Sequence, residues 1–319
     1  MRTITLEEHF VTPSFLHATG AYGNGAPALQ AIQQKLLDLG DGRIVDMDEA
    51  GVDLQVLSLA AIGLDELAAA TAAPLLCDVN DELAAAIQAH PKRFAGLATL
   101  AMNDAASAAK ELERCIDTLG FKGLILDGTV GGEFMDQAKF LPVFEAANAL
   151  KVPIYLHPAP APKAVKDVYF SGLPAEAAHL LSIAGWGWHA ENGLHTLRLI
   201  VSGLFDRFPD LQIVIGHMGE GVPYALARSS NVLGGAIKHL QRSVDEYFRH
   251  NFHVTTSGYF TLPPFQCALE VVGIDRLMYS VDYPFSPNTR GRDFLNALNL
   301  ADTDYAKLTH GNAEALFKL

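Results

Sequence analysis

The feature that most constrains the fold is a series of eight short apolar runs, separated by stretches with helical patterning. The runs are rich in Val, Ile and Leu on both faces, as parallel strands covered by helices must be. Strand–helix alternation repeated eight times predicts an α/β fold, a (β/α)₈ TIM barrel. The predicted strands cover residues 3–10, 53–59, 94–100, 121–128, 152–158, 211–217, 252–258 and 277–283. The clearest predicted helices cover residues 74–90, 105–119, 141–150, 194–208 and 264–272.

The chain has 319 residues, half of them apolar, so it can bury a large core. No repeat, low-complexity tract or linker divides the sequence, so we expect one barrel domain over residues 1–319. Two connections, at residues 11–46 and 159–192, are longer than barrel closure requires and follow strands one and five. The second carries Trp186 and Trp188, which suit a lid over the active face and a subunit interface equally well.

The formal net charge of −13 argues against a nucleic-acid-binding surface and against adhesion to anionic lipid. No apolar run reaches the about 18 residues that a membrane-spanning helix needs. The three cysteines are far apart and form no CxxC pattern, which indicates reduced thiols. The first residues lack the features of a signal peptide, so we expect a cytoplasmic protein without nucleic-acid or membrane partners.

Ionisable residues stand at the ends of several predicted strands: Glu7, His9, His157, His217 and Asp282. In a barrel of parallel strands, the carboxyl ends of all strands meet on the face where such enzymes do chemistry. Ionisable groups are costly inside a protein unless they are paired or bound to metal. Five of them at strand ends therefore indicate a shared site, most simply a divalent metal centre.

Each of these residues also has an ordinary interpretation. Glu7 and His9 are two apart on one strand, so they should share a face while Glu8 points to the other, yet alone they could be solvated strand-end residues. His157 alone could be a structural histidine, and Asp282 could begin a turn before the next proline. Together, two carboxylates and two imidazoles form a mixed ligand set that suits Zn²⁺ or Mn²⁺ and leaves positions for water or substrate.

A second group of polar residues follows strand six. His217 could be a fifth metal ligand, or a proton-transfer group held by Glu220, since a histidine–carboxylate pair is a usual acid/base arrangement. Arg228 could bind a substrate carboxylate in bidentate fashion. From the sequence alone, an ion pair on an exposed helix face is the favoured interpretation of Arg228.

With these residues in place, the chain resembles the metal-dependent decarboxylase branch of the amidohydrolase superfamily, which includes γ-resorcylate and 2,3-dihydroxybenzoate decarboxylases. The resemblance covers nearly the whole chain. It is carried by LEEHF, YLHP, the block from GWGWHAENGLHTLRLIVSGLFDRF to GHMGEGVPY, NFHVTTSGYF, YSVDYPF and GNAEALF. It implies an amidohydrolase-like barrel that decarboxylates a small aromatic carboxylate of the hydroxybenzoate type, and a homodimer or homotetramer.

The resemblance also implies roles for individual residues. One divalent ion, Zn²⁺ or Mn²⁺ with Mg²⁺ as a third candidate, is implied at Glu7, His9, His157 and Asp282. It further implies His217 and Glu220 as an acid/base pair and Arg228 as the residue that binds the substrate carboxylate. We expect Asp282 to protonate the carboxyl-bearing ring carbon before CO₂ leaves.

The sequence departs from related patterns at several positions. The wider superfamily often begins with His-x-His and places a carbamylated lysine after strand four, whereas this chain has Glu-x-His and LILDG. Lys122 lies at the amino end of that strand and not at its carboxyl end, which argues against a binuclear hydrolase site. The segments PFSPNTRG and SLAAIG differ from the corresponding segments of the resorcylate enzymes, which border the substrate. The identity of the aromatic acid therefore stays open. A metal-dependent hydrolase or hydratase acting on a small carboxylate is the main alternative, and a non-enzymatic binding barrel is the third.

Overall fold

The structure, a computed structural model, describes residues 1–21 and 27–319. Its eight strands pair in parallel and in chain order. They are β1 (Ile4–Phe10), β2 (Leu54–Leu59), β3 (Phe94–Thr99), β4 (Gly123–Asp127), β5 (Ile154–His157), β6 (Ile213–Ile215), β7 (Phe252–Thr255) and β8 (Leu277–Met278). A parallel bridge between Leu6 and Ser280 joins the first strand to the end of the last. The predicted (β/α)₈ barrel is confirmed, and every observed strand lies within its predicted range.

Helices surround the barrel and fill both long connections. They are α1 (Pro13–Thr19), α2 (Pro27–Leu37), α3 (Asp41–Glu49), α4 (Ala69–Ala89), α5 (Ala105–Asp117), α6 (Leu141–Leu150), α7 (Lys163–Tyr169), α8 (Ala175–Ser182), α9 (Gly187–Val201), α10 (Leu204–Arg207), α11 (Val222–Leu233), α12 (Val244–Asn251), α13 (Leu262–Val272), α14 (Asn288–Ala297), α15 (Asp302–Ala306) and α16 (Asn312–Phe317). The connection after β1 therefore contains α1 to α3, and residues 22–26 of it lie outside the described residues. The connection after β5 contains α7 and α8.

Two predicted helices differ from the observed ones. The helix predicted at 194–208 begins seven residues earlier, at Gly187, so Trp188 lies in the helix and Trp186 in the turn directly before it. It ends at Val201 because Gly203 takes a left-handed conformation (φ 82°) and separates α9 from α10. The helix predicted to begin at Pro74 begins at Ala69, with the proline inside it. Proline is favoured in a first turn, which explains that misplaced start.

The apolar runs are apolar on both faces because both faces are buried. Side chains such as Leu6, Val56 and Val214 pack inside the barrel. A second, larger cluster, which includes Leu57 and Phe144, fills the layer between strands and helices. With this interior packed, the space left for polar chemistry is the rim at the carboxyl ends of the strands.

Two observations concern the physical state of the chain. Within residues 1–21 and 27–319, no helix combines the length and the apolar character needed to cross a lipid bilayer. Cys77, Cys115 and Cys267 are all free thiols, as the spacing of the cysteines indicates.

Candidate active site

The five ionisable residues predicted at strand ends converge at the carboxyl end of the barrel. Glu7 Oε1 lies 3.3 Å from His157 Nε2, and His9 Nε2 lies 3.3 Å from Asp282 Oδ1. His217 Nε2 is 3.6 Å from Glu7 Oε1 and 3.8 Å from Asp282 Oδ2. Donor atoms of Glu7, His9 and His157 all lie within 4.8 Å of one another. The structure therefore joins residues from four separate strand ends in one cluster, here called the central cluster.

The backbone at the central cluster is locally left-handed. Glu7 (φ 60°), His217 (φ 50°) and Asp282 (φ 69°) all have positive φ, a conformation that side chains with a Cβ rarely adopt. At Glu7 the pairing of β1 with β2 shifts register between Thr5 and Glu8. Such local strain gathers at functional sites, where the surrounding structure holds it in place. Here the left-handed positions are three residues whose side chains meet in the central cluster.

Two buried atoms of the central cluster test whether the residues fit a metal ion. Within the described chain, Glu7 Oε1 and His9 Nε2 are buried and have no hydrogen-bond partner. Such groups are costly to bury unpaired. Ligand atoms about 2.1 Å from one ion stand roughly 3.0–3.4 Å apart, close to the 3.3 Å separations of the central cluster. The donor set and its spacing therefore fit a divalent cation.

The opposite side of the Glu7 carboxylate is tightly held. Its Oε2 accepts hydrogen bonds from the hydroxyls of Tyr155, on β5, and Ser257, after β7. A Cβ atom at Gly216 would overlap this carboxylate, so glycine is required there for packing. These contacts leave Oε1 as the free oxygen, directed at the imidazoles.

The imidazoles are oriented by outer hydrogen bonds. His157 Nδ1 pairs with Asp127 Oδ1 at 2.9 Å, and His9 Nδ1 lies 3.4 Å from Ser58 Oγ. Both rings thereby present Nε2 to the centre, as is usual for metal-binding histidines. Burial opposes the charged form of His157, but the hydrogen bond to Asp127 raises its pKa. Asp127 was not among the predicted site residues, although it ends β4 in LILDG, because the absence of a lysine was the only feature used at that strand end.

His217 and Glu220 form the predicted pair, and a third residue completes it. His217 Nδ1 pairs with Glu220 Oε1 at 2.8 Å, and His189 Nδ1 pairs with Glu220 Oε2 at 2.6 Å. Asn192 Nδ2 also donates to Glu220 Oε1 at 3.2 Å. His189 was missed because its GWGWH segment was interpreted only as a lid or an interface, although a histidine directly after Trp188 was visible there.

Neighbouring charges shift the pKa values of these groups. Burial disfavours the charged form of His217, but the carboxylates of Glu7 and Glu220 outweigh burial and raise its pKa well above its ordinary value. Burial would raise the pKa of Glu220, yet His217 and His189 lower it to about 2. Burial also opposes ionisation of Asp282, whose pKa the neighbouring imidazoles hold well below its usual range. The site therefore contains fully ionised acids beside imidazoles that bind protons readily.

Aromatic rings flank the central cluster. Phe285 packs edge-on against the ring of His9, with 5.6 Å between ring centroids, and is 41% exposed. Tyr259 packs against His189 and His217 with centroid distances of 5.4 and 5.9 Å. A planar aromatic ligand can contact such rings while its polar group reaches the cluster.

Arg228 is the predicted site residue that the structure does not bring into the central cluster. It is exposed on α11, less than two turns after the helix start at Val222, which follows the His217–Glu220 segment. Within the described part of the chain, Arg228 forms no ion pair, so the ion pair favoured by the sequence is not formed there. Its guanidinium is accessible to an anion from solution.

Known proteins resemble this chain along its whole length. A γ-resorcylate decarboxylase from Polaromonas sp. is 37% identical over 336 residues, which cover 99% of this chain and 98% of that protein. The structure of a dihydroxybenzoic acid decarboxylase from Polaromonas sp., with bound manganese and the inhibitor 2-nitroresorcinol, is 34% identical. It matches with a TM-score of 0.91 over 100% of this chain and 97% of that chain.

A third relative is a 5-carboxyvanillate decarboxylase from Novosphingobium aromaticivorans, in complex with manganese and 4-hydroxy-3-methoxy-5-nitrobenzoic acid. It is 32% identical, with a TM-score of 0.92 over 100% of this chain and 96% of that chain. The sequence profile of the amidohydrolase family matches residues 33–319. The barrel, the convergent acids and imidazoles, and these similarities agree. The chain therefore belongs to the amidohydrolase family.

Proposed function

We propose that this protein is a metal-dependent, non-oxidative decarboxylase of a hydroxybenzoate-type aromatic acid, a carbon–carbon lyase. The observation that carries the proposal is the pair of buried, unpartnered atoms, Glu7 Oε1 and His9 Nε2, in a cluster with the spacing of metal ligands. The similarity to a γ-resorcylate decarboxylase over 99% of the chain supports the reaction. The manganese in two related structures supports the cofactor.

The proposed ligands are Glu7, His9, His157 and Asp282, and the proposed ion is Mn²⁺ or Zn²⁺, with Mg²⁺ as a third candidate. When bound, a divalent ion supplies Lewis-acid charge beside the carboxylate and the neighbouring phenolic oxygen of the substrate. Asp127 and Ser58 support this set by holding the outer nitrogens of His157 and His9.

Decarboxylation needs a proton on the ring carbon that carries the carboxylate, because direct loss of CO₂ would leave an unstable aryl anion. Asp282 is the proposed donor of that proton. The C–C bond then breaks, its electron pair returns to the ring and restores aromaticity, and CO₂ leaves. Asp282 is ionised in the resting site, so His217, whose Nε2 lies 3.8 Å from Asp282 Oδ2, is proposed to supply the proton that Asp282 then passes to the ring carbon.

Two further residues are assigned proposed roles. Glu220 holds His217 through its Nδ1 at 2.8 Å and so keeps Nε2 directed at the central cluster. Arg228 is proposed to bind the carboxylate of the substrate, because a guanidinium matches a carboxylate in bidentate geometry. Its exposure and the lack of an ion pair within the described chain leave it available to an anion.

The experiment that tests this function is turnover of a panel of hydroxybenzoates by Mn²⁺- or Zn²⁺-loaded protein. We expect one or more acids to yield CO₂ and the corresponding phenol in equal amounts, with both lost on chelation. Folded, metal-loaded protein that releases no CO₂ from any acid would contradict the proposal. Uptake of water into a small carboxylate would instead identify the hydrolase or hydratase, and inactivity on both substrate classes would favour a binding barrel.

A homodimer or homotetramer in the cytoplasm is the proposed physical state. Four apolar side chains are exposed near the α8–α9 connection: Leu180 (54%) and Leu181 (40%) on α8, Trp186 (59%) directly before α9, and Leu194 (47%) on α9. Exposed aromatic and aliphatic side chains in one region are typical of subunit contacts. Light scattering on the purified protein, with Trp186→Ser as the variant, distinguishes an interface from a lid: an interface predicts smaller particles for the variant.

A further inference from the structure

Glu220 is held between two imidazoles, and only one of them belongs to the proposed acid/base pair. The ring of His189 lies 4.8 Å from the ring of His217, and both donate through Nδ1 to the same carboxylate. We propose that His189 is a positioning residue that fixes Glu220 and, through it, the tautomer and orientation of His217. The kinetic part of this inference rests on the proposed decarboxylase function.

The partners of His189 determine where its protons are. Nδ1 faces Glu220 Oε2 at 2.6 Å, and Nε2 faces the carbonyl oxygen of Ala184 at 3.1 Å. A carbonyl oxygen and an ionised carboxylate only accept hydrogen bonds, so each ring nitrogen of His189 faces an acceptor and is positioned as a donor. His189 therefore holds Oε2 of Glu220, the oxygen that His217 does not contact.

An anionic Glu220 selects one tautomer of His217. Its Oε1 accepts from Nδ1 of His217, so that nitrogen keeps its proton when the ring is neutral. The proton that can be exchanged is then on Nε2, the nitrogen that faces Glu7 and Asp282 at 3.6 and 3.8 Å. Without His189, Oε2 of Glu220 loses its contact, and the carboxylate is held only through Oε1, by His217 and Asn192.

The start of α9 is built to hold His189 in this place. Gly185 and Gly187 pack so closely against the backbone of α8 that a Cβ at either position would overlap Leu180 or Ser182. This packing brings the Ala184 carbonyl against His189. One turn later, Asn192 Nδ2 donates to the Leu156 carbonyl at 3.0 Å as well as to Glu220, which ties the helix to β5 beside His157.

A second metal ion is the other arrangement that these atoms could support. His189, His217 and Glu220 lie close enough together to hold one. However, both nitrogens of His189 and both oxygens of Glu220 already have hydrogen-bond partners, unlike Glu7 Oε1 and His9 Nε2 in the central cluster. The hydrogen-bonded arrangement needs no further ligand, so the geometry points to a positioning role.

Two substitutions of nearly equal size separate the two hydrogen bonds of His189. In His189→Asn, the amide nitrogen stands near the position of Nδ1 and keeps the donor to Glu220. In His189→Gln, it stands near the position of Nε2 and keeps only the bond to Ala184. His189→Leu removes both. His195→Gln is the matched control, since His195 is also buried on α9 but accepts from the Met135 N–H instead.

Steady-state kinetics of the metal-loaded variants give the first readout. We expect His189→Asn to keep kcat within about threefold of the wild type, while His189→Gln and His189→Leu lower kcat by about 10–100-fold. KM and metal content should not change, and His195→Gln should keep its kcat. Equal kcat in the Asn, Gln and Leu variants, whether all high or all low, would overturn the role of the Nδ1 bond.

Nitrogen-15 NMR of histidine-labelled, Zn²⁺-loaded protein gives a readout that does not depend on turnover. We expect the His217 Nδ1 to carry the proton in the wild type and in His189→Asn, and a mixture of tautomers in His189→Leu. An unchanged His217 tautomer in His189→Leu would overturn the proposal. The expected tautomers in a protein inactive on every hydroxybenzoate would contradict the decarboxylase function alone and leave the positioning role supported.

Discussion

Glu8 fixes the backbone around Asp282. Its carboxyl oxygens accept hydrogen bonds from the N–H groups on both sides of that residue, from Val281 at 2.9 Å and from Tyr283 at 3.1 Å. Asp282 itself has a left-handed backbone (φ 69°), which needs such support. Glu8 lies between Glu7 and the next proposed ligand in the sequence, so β1 supplies ligands from one face and positions the last ligand from the other.

Replacing Glu8 by leucine removes the acceptors of both N–H groups. Each buried N–H left unpaired costs about 1–3 kcal/mol. We expect a lower free energy of unfolding in Glu8→Leu, measured by urea denaturation, and weaker metal binding because Asp282 is less well held. Unchanged stability together with full metal content would contradict the positioning role of Glu8.

Asp282→Asn should abolish turnover while the fold stays intact, because an amide cannot donate the proton that the ring carbon requires. The measurement is kcat on the best hydroxybenzoate, with circular dichroism to verify folding and metal analysis to separate lost chemistry from lost cofactor. A folded, metal-loaded Asp282→Asn protein with turnover like that of the wild type would exclude Asp282 as the donor.

Metal removal should destabilise the protein, because Glu7 Oε1 and His9 Nε2 are buried without hydrogen-bond partners within the described chain. Mn²⁺ at about 100 times its Kd should stabilise the folded state by about 2.7 kcal/mol. We expect Tm to rise with Mn²⁺, to fall with chelator, and to lose its Mn²⁺ dependence in Glu7→Gln. Glu176→Gln, at an exposed glutamate of α8, is the control that should keep the full response.

Arg228→Met should raise KM for the aromatic acid by about tenfold or more, since a charge-assisted hydrogen bond contributes about 1.5–3 kcal/mol. Metal content and the free energy of unfolding should stay as in the wild type, because Arg228 is exposed and has no ion pair within the described chain. Arg207→Met, at an exposed arginine of α10, is the control. An unchanged KM in Arg228→Met would remove Arg228 from the site.

His195 should contribute to acid sensitivity. Burial lowers its pKa to about 4, from an ordinary value of 6.5, so the folded protein holds it neutral. The unfolded chain binds a proton first as the pH falls, so stability is lost between pH 6.5 and about 4, by an amount on the order of 3 kcal/mol. We expect His195→Gln to lose less stability over this range in urea titrations. Parallel curves for the two proteins would contradict the assignment.

The sequence determined the barrel and most of the central cluster. Eight apolar runs with helical stretches between them are a local pattern, and each observed strand falls within its run. Glu7, His9, His157, His217 and Asp282 were predictable as one site because parallel strands in a barrel end on one face. The boundaries of α9 were not predictable to the same degree, since they depend on close packing at Gly187 and a left-handed Gly203.

Only the tertiary structure decided which residues support that site. Asp127 meets His157 across 30 positions of sequence, and His189 meets Glu220 across 31. Neither spacing forms a local pattern, because both contacts depend on how neighbouring strands are aligned and where α9 begins. The sequence places an ionisable residue at a strand end, but the nitrogen that faces the centre is selected by a partner that arrives from a different part of the chain.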